Sequence, residues 1–238
     1  KSQLTGCVVF VATFARPDVA FAAHFLSRFR CRPGHVHLKL ARRVLGYLSR
    51  TRALAITYRR SKEDIASFNF RPMQSKAPDV TGAPHLPVDT DHGVNRSVTG
   101  WLFMLAGAAV SWAVRGQLAP ALSSTEAEMY GLSTGVCDML TVIYVLEEMG
   151  LVLEHPIKVM TDSQGARLIA TDNASSARTR HIHRRWFFVR YYERDGRLTV
   201  TLVKGALNPA NFLTKAVGGK SFAEDRAYAM GLPGPPTP

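Results

Sequence analysis

Apolar positions follow two periodicities along the chain, separated by a stretch in which neither survives. Over residues 1–60 they recur at helical spacing: "GCVVFVATFA" runs up to Arg16-Pro17, "PDVAFAAHFLSRF" restarts with Pro17 at a tolerated first-turn position, and "HVHLKLARRVLGYLSR" follows. A short strand, "LAITYRR", is expected to close this segment. The pattern then lapses in "SKEDIASFNFRPMQSKAPDVTGAP", polar and proline-bearing, which predicts a linker over 61–82 and hence two domains. Beyond it, over 83–217, the short apolar runs "HLPVDT", "TGWLFML" and "AAVSWAV" predict an antiparallel meander. A long helix from Thr125 to Gly150 comes next, then the strand "PIKVMT", a short helix, a helix around 181–194, the strand "LTVTLV" and a last helix. A meander followed by alternating helix and strand predicts an α/β fold, a mixed sheet flanked by helices. Residues 218–238 read as a C-terminal tail, and "GLPGPPTP" has the composition of a disordered end.

Composition narrows the class. No uninterrupted apolar run approaches the roughly 20 residues that span a bilayer, and the first residues lack the layout of a secretory signal. The expectation is an intracellular protein with no membrane partner. Cys7, Cys31 and Cys137 show no Cys-x-x-Cys spacing, which argues for reduced thiols rather than a disulfide framework or a zinc site. Thirty Lys and Arg against 18 Asp and Glu give a formal charge of +12, the balance of a surface that meets a polyanion. Nucleic acid is the expected partner; the plainer alternative is a basic surface with no such role.

Two glutamates open the long helix, in "ALSSTEAEMYGL", and they need separate explanations. Ser123 followed three residues later by Glu126 is a capping box, which gives Glu126 a structural task. With Glu126 at 0° on the helical wheel, Met129, Leu132, Val136, Leu140 and Ile143 fall at about 240–320° and Glu128 at about 200°. Glu128 therefore lies on the rim of the buried face, where a carboxylate needs a hydrogen bond, a partner charge or a cation. Asp89 ends the run "HLPV" and Asp162 ends "PIKVMT". Each has a plain reading: Glu128 as an ion-paired residue, Asp89 as a turn opener, Asp162 as the cap of a helix at Ser163. Together they match a carboxylate cluster for divalent metal, in which two Mg²⁺ ions would activate a water and stabilise the leaving oxygen of a phosphodiester.

"VDTD", "RSVTGWLFMLAGAAVSWAVRGQ", "ALSSTEAEMYGLS", "VMTDSQGA", "ARTRHIHRRWFFVRYY" and "NPANFLTKAV" occur in the order and spacing of a known family. With these motifs the chain resembles the ribonuclease H domain of copia-type LTR retrotransposon Pol polyproteins. The front, "GCVVFVATFARPDVAFAAHFLSRF" with "HLKLARRVLGYLSRTRALAITY", resembles the thumb and connection that end the same family's reverse transcriptase. The resemblance runs from about residue 4 to residue 232; no Tyr-x-Asp-Asp sequence occurs, so no polymerase site is assigned to this chain. It implies a ribonuclease H-like mixed five-stranded sheet preceded by a small helical segment, and cleavage of the RNA strand of an RNA–DNA hybrid with Mg²⁺ or Mn²⁺. By position it makes Asp89, Glu128 and Asp162 the metal ligands. The fourth acidic position falls at Asn211, where the family usually has Asp. An amide offers one neutral oxygen in place of a carboxylate, so a second metal ion is held more weakly. His92 and His183 also replace residues that are ordinarily Trp and Asp, and the hairpin after Asp89 is shorter than usual.

The segment "SARTRHIHRRWFFVRYYERDG" carries Arg178, Arg180, Arg184, Arg185, Arg190 and Arg194. Ile182, Trp186 and Val189 form an apolar stripe on one side, which reads as core rather than as a stacking platform for bases. An arginine-dense helix beside a metal site can neutralise phosphates of an A-form-like hybrid; the alternative is a solvated basic face. His181 or His183 could assist proton transfer or be structural. Three functions stay open: a ribonuclease H-type endonuclease, a catalytically silent nucleic-acid-binding remnant, and a module whose charge serves contact with the rest of a reverse transcriptase. The last expects an exposed apolar patch on the first 60 residues.

Overall fold

The computed structural model describes residues 2–58, 83–93, 96–151, 153, 155–171 and 183–233. Three helices come first, α1 (Ser2–Phe14), α2 (Ala20–Ser27) and α3 (His35–Arg50), with a 3-10 turn at Pro17–Val19 leading into α2. Pro17 suits that turn because its φ is fixed near the helical value and it has no amide to leave unbonded. Residues 54–58, expected to begin a strand, form none. The Thr57 amide donates to the Met230 carbonyl at 2.8 Å and the Tyr58 hydroxyl to the Ala109 carbonyl at 2.9 Å, so this stretch is tied to the far end of the chain and to the edge of the sheet without joining it as a strand. Arg59, Arg60 and the expected linker 61–82 lie outside the described residues.

The meander is β1 (His85–Asp91), β2 (Val98–Leu105) and β3 (Ala108–Gly116), paired antiparallel. Ala106 and Gly107, at φ 53° and 80°, make the tight turn between β2 and β3, where both residues must be left-handed to match the strand twist. There follow α4 (Ser124–Glu148), β4 (Ile157–Thr161), α5 (Gln164–Thr171), α6 (His183–Arg194), β5 (Leu198–Leu202), α7 (Asn211–Thr214) and α8 (Gly219–Met230). β4 runs parallel to β1 and β5 parallel to β4, which gives the strand order β3-β2-β1-β4-β5. This is the five-stranded mixed sheet flanked by helices that the ribonuclease H resemblance implies.

Strand alternation assigns the layers. Leu86, Val88, Trp101, Phe103, Ile157, Val159, Leu198 and Val200 point to one face and pack with Met129, Leu132, Val136 and Met139 of α4. Leu102, Met104, Ala109 and Met160 point to the other and pack with Val8 and Ala12 of α1, Ala20 and Ala23 of α2, and Phe212, Tyr228 and Ala229. The helices of residues 1–60 thus share a core with the sheet rather than building one of their own. The tail reading of 218–238 also changes: α8 is helical and buries Ala227, Tyr228, Ala229 and Met230, ending at Gly231 with φ 64°. Small residues hid it, because alanine packs closely without the large apolar spacing that marks a helix in sequence. Residues 234–238 lie outside the described residues.

A buried network fixes the front helices. Arg16 donates to both oxygens of Asp18 at 2.8 and 2.7 Å and to the Thr51 hydroxyl at 2.8 Å, while Tyr47 of α3 donates to Asp18 at 2.6 Å. Arg226 of α8 in turn donates to the Tyr47 hydroxyl at 3.1 Å. By length and composition α4 alone among the described helices could cross a membrane, but 50% of its apolar window is buried inside the protein. It is the core helix of the sheet.

His85 on β1 is fully enclosed, with Nδ1 2.7 Å from the Ala83 carbonyl and Nε2 2.5 Å from the Tyr228 hydroxyl. Burial pushes its pKa down to about 4, from an ordinary 6.5, so unfolding takes up a proton between those values. The stability gained by keeping His85 neutral is full above pH 6.5 and is lost as pH falls toward 4, by about 3 kcal/mol. Thermal melts of His85→Gln and the wild type across this window should differ in slope; parallel curves would show that His85 does not titrate with unfolding.

Candidate functional site

The sheet itself brings the two aspartates together. β1 and β4 pair in parallel with His85 opposite Lys158, Leu86 opposite Val159 and Pro87 opposite Met160. Continued by two residues, the same register sets Asp89 opposite Asp162, with strand axes about 4.8 Å apart. Asp89 is 1% exposed and lies within β1, opposite Gly100 and two residues before the strand ends, which replaces the strand-end position and the turn reading expected for it; Asp162 is the first residue beyond β4. The capping alternative for Asp162 does not hold, because Ser163 accepts from the Ala166 amide at 3.2 Å and caps α5 itself.

Glu128 arrives from the first turns of α4. Ser123 accepts from the Glu126 amide at 3.1 Å, as the capping box predicts. The Glu126 carboxylate reaches past Ser123 to the Leu122 amide, 2.6 Å away. Glu128 is 8% exposed, with Oε2 buried and without a hydrogen-bond partner. Its position depends on Gly131, one turn later: a Cβ there would lie 2.4 Å from Thr90 Oγ1 and 3.0 Å from Thr99 Cγ2, so the bare glycine lets α4 sit against β1 and β2. Gly131→Ala should destabilise the protein by about 1–3 kcal/mol despite alanine's better helix propensity, because both threonines are buried and branched. A urea midpoint that rises instead would mean that the threonines turn aside at no penalty.

Electrostatics ties the three acids into one site. Burial, then Asp162 and Asp89, push the Glu128 carboxyl up to about 9, while Lys215 and a backbone bond at Thr90 act the other way. Burial and Asp89 likewise raise Asp162. Among the described residues no three His, Cys, Asp or Glu side chains close into a ready-made metal cage. Asp89 is held elsewhere: the Thr214 hydroxyl donates to its Oδ2, and Lys215 Nζ lies 3.5 Å from the same oxygen. The donors nonetheless suit a hard cation, since Glu128 presents an unpartnered buried oxygen in mutual repulsion with two aspartates.

Asn211 starts α7 beside this cluster. Its amide donates to the Gly205 carbonyl at 2.6 Å, its Oδ1 is buried without a partner, and a Cβ on Gly205 would lie 3.0 Å from Asp162 Oδ2. All four residues predicted from the motifs therefore share one end of the sheet. Thr214 and Lys215 were missed as site residues, although both lie in the quoted "NFLTKA"; their contact with Asp89 spans more than 120 residues and has no periodic signature.

The predicted arginines do not act alike. Arg178, Arg180 and His181 lie outside the described residues, as do the side chains of His183, Arg184 and Trp186. Arg185 is exposed, stands over the Tyr130 ring at 3.6 Å and lines a cleft of about 460 Å³ with Arg115, Thr134 and Asp138. Arg190 is a correction: it is 7% exposed and donates to the Ile169 carbonyl at 2.8 Å, so it fastens α6 to α5 and is not presented to a phosphate. The helix turns it inward next to Val189, which is fully buried. Arg115, on β3, was not predicted; it is exposed, stands over the Trp101 ring at 4.9 Å and lines the same cleft.

No protein-family model matches the chain. Over 221 residues it is 30% identical to the retrovirus-related Pol polyprotein from transposon TNT 1-94 of Nicotiana tabacum, covering 93% of this chain and 15% of that protein. Over 223 residues it is 26% identical to the corresponding polyprotein from transposon RE1 of Arabidopsis thaliana, covering 92% of this chain and 14% of that one. The chain thus spans about one seventh of the length of these relatives. Among solved structures it is similar to an N-terminal RNase H domain from Mycobacterium tuberculosis, determined as a fusion with maltose-binding protein. That likeness has a TM-score of 0.42 and 14% identity, over 56% of this chain and 90% of the other. Similarity to these polyproteins runs nearly end to end along this chain, which corresponds to a segment of the retrovirus-related Pol polyproteins of copia-type plant transposons.

Proposed function

We propose that this chain is a metal-dependent endonuclease of ribonuclease H type, cutting the RNA strand of RNA–DNA hybrids as part of a retrotransposon polyprotein. The observation that carries the reading is the convergence of Asp89 from within β1, Asp162 from the end of β4 and Glu128 from α4, with Glu128 Oε2 buried and unpartnered. These three would hold Mg²⁺ or Mn²⁺, with Asn211 adding one neutral oxygen. A bound divalent ion supplies Lewis acidity to activate a water and steady the leaving oxygen. The chain's own part is positional: the parallel register sets the aspartates side by side, and α4 keeps Glu128 out of bulk water. Arg185 and Arg115, facing the same cleft, suit phosphates of a hybrid recognised through its backbone and 2′-hydroxyls.

Asn211 supports a second reading, a catalytically silent domain that still binds nucleic acid. A labelled hybrid with a Mg²⁺ or Mn²⁺ titration separates the two. The nuclease reading expects cleavage that Asn211→Asp raises about tenfold by restoring a charged ligand. Intact hybrid under every metal, with salt-sensitive binding retained, selects the silent domain. Contact with the polymerase portion of a polyprotein is supported by Phe10 and Phe14 on α1, which are 65% and 68% exposed with ring centroids 4.9 Å apart. An intracellular setting, in cytoplasm, nucleus or virus-like particle, goes with this reading.

A further inference from the structure

We infer that Lys215 is a built-in counter-ion of the carboxylate site: its ammonium stands in for a second metal ion at Asp89, and an entering divalent cation must take that carboxylate from it. The inference rests on the metal-site reading above.

Lys215 follows α7 directly, and its Nζ is 3.5 Å from Asp89 Oδ2. The two side chains differ sharply in exposure, 45% for the lysine and 2% for the aspartate, so the stem runs from the surface down to a desolvated anion. A charge pair with one partner out of water is coupled more strongly than a surface pair, and removing the lysine would leave Asp89 buried with only the Thr214 hydroxyl. The same ammonium acts on Glu128 and on Asp162, opposing the shifts the acids impose on one another.

The backbone that carries Lys215 is fixed. Phe212 and Leu213 are buried in the second core cluster. A Cβ on Gly100 would lie 2.4 Å from Leu213 Cβ, so α7 presses directly on β2. The Lys215 amide donates to the Asn211 carbonyl at 3.1 Å. The lysine side chain is 45% exposed, which leaves room for it to release Asp89 by changing rotamer while α7 stays in place.

Formal charge bears on the number of ions. Once an incoming cation displaces the Glu128 proton, three carboxylates less one ammonium leave a charge of −2, which one divalent ion cancels; Asn211 adds nothing. With an aspartate at 211 and no lysine the sum would be −4, which two divalent ions cancel. The neutral fourth position and the lysine therefore belong together: each removes one unit of the demand for a second metal.

Isothermal titration of the full chain with Mn²⁺, without nucleic acid, tests this. The wild type should bind one ion, and Lys215→Met should bind one ion about tenfold more tightly, because no competing charge must be displaced. Lys215→Arg, which keeps the charge, should stay within about threefold of the wild type, and Asn211→Asp combined with Lys215→Met should bind two ions. If Lys215→Met does not fold by circular dichroism, Lys215→Gln gives the same comparison. An affinity of the neutral variant within twofold of the wild type, or weaker, overturns the proposal, as does a wild type that binds two ions. Failure of the nuclease reading looks different: metal bound as expected, and hybrid left uncut.

Discussion

Asp162→Asn is expected to lower the rate of hybrid cleavage by about 10³-fold or more while the protein stays folded. The residue is free of structural duties: Ser163 caps α5, and the described ion pairs do not include Asp162. What it contributes is charge beside Asp89, at a point where burial and that neighbour already make ionisation unfavourable. Neutralising it removes a ligand and at the same time relieves repulsion, so stability should hold or rise as activity disappears. Time courses on a labelled hybrid at saturating Mg²⁺, with a melt of the same preparation, check both halves. A variant that keeps more than a tenth of the wild-type rate would end the three-carboxylate proposal.

Glu128→Gln should make the metal-free protein more stable, and more so at alkaline pH. Glu128 keeps its proton in the fold up to about pH 9 but releases it near 4.5 once unfolded, so between these values unfolding releases a proton. Stability therefore declines as pH rises through that window; the penalty is absent below 4.5 and full above about 9. At pH 8 it is of the order of 3 kcal/mol, allowing for relaxation and water entry, and glutamine removes it. For a chain of this size that corresponds to a Tm higher by about 6–12 °C in EDTA at pH 8, shrinking toward zero near pH 5. Saturating Mn²⁺ should reverse the order, since only the carboxylate gains from the cation. Equal melting temperatures at pH 8 without metal would mean that Glu128 is ionised and solvated in the fold. His85 titrates with the opposite sign between 4 and 6.5, so each effect is best read as a difference between variant and wild type.

The residues that failed to announce themselves share a physical cause. Leu86, Val88, Leu102 and Met104 advertise strands as members of short apolar runs, because β1 and β2 are covered on both faces. Glu128 was legible because a helical wheel places a charge on the rim of a buried stripe. Arg190 was misread, since an arginine that donates to the Ile169 carbonyl looks, in sequence, like one that waits for a phosphate. α8 was read as a tail because Ala227 and Ala229 pack by being small. The described part of "LAITYRR", residues 54–58, forms no strand and is instead fixed by contacts distant in the chain, Thr57 to Met230 and Tyr58 to Ala109.

By itself the sequence determined the three-stranded meander, the long helix and the two later strands, the capping role of Glu126 and the choice of Asp89, Glu128 and Asp162 as candidates, because apolar runs, helical periodicity and caps are local. Tertiary structure alone decided that β4 joins β1 in parallel and in register, which turns two distant aspartates into neighbours. It also decided that the helices of the first 60 residues close one face of the same sheet, and that Lys215 reaches Asp89. Those outcomes depend on which surfaces exclude water from one another, and no stretch of chain carries that information alone.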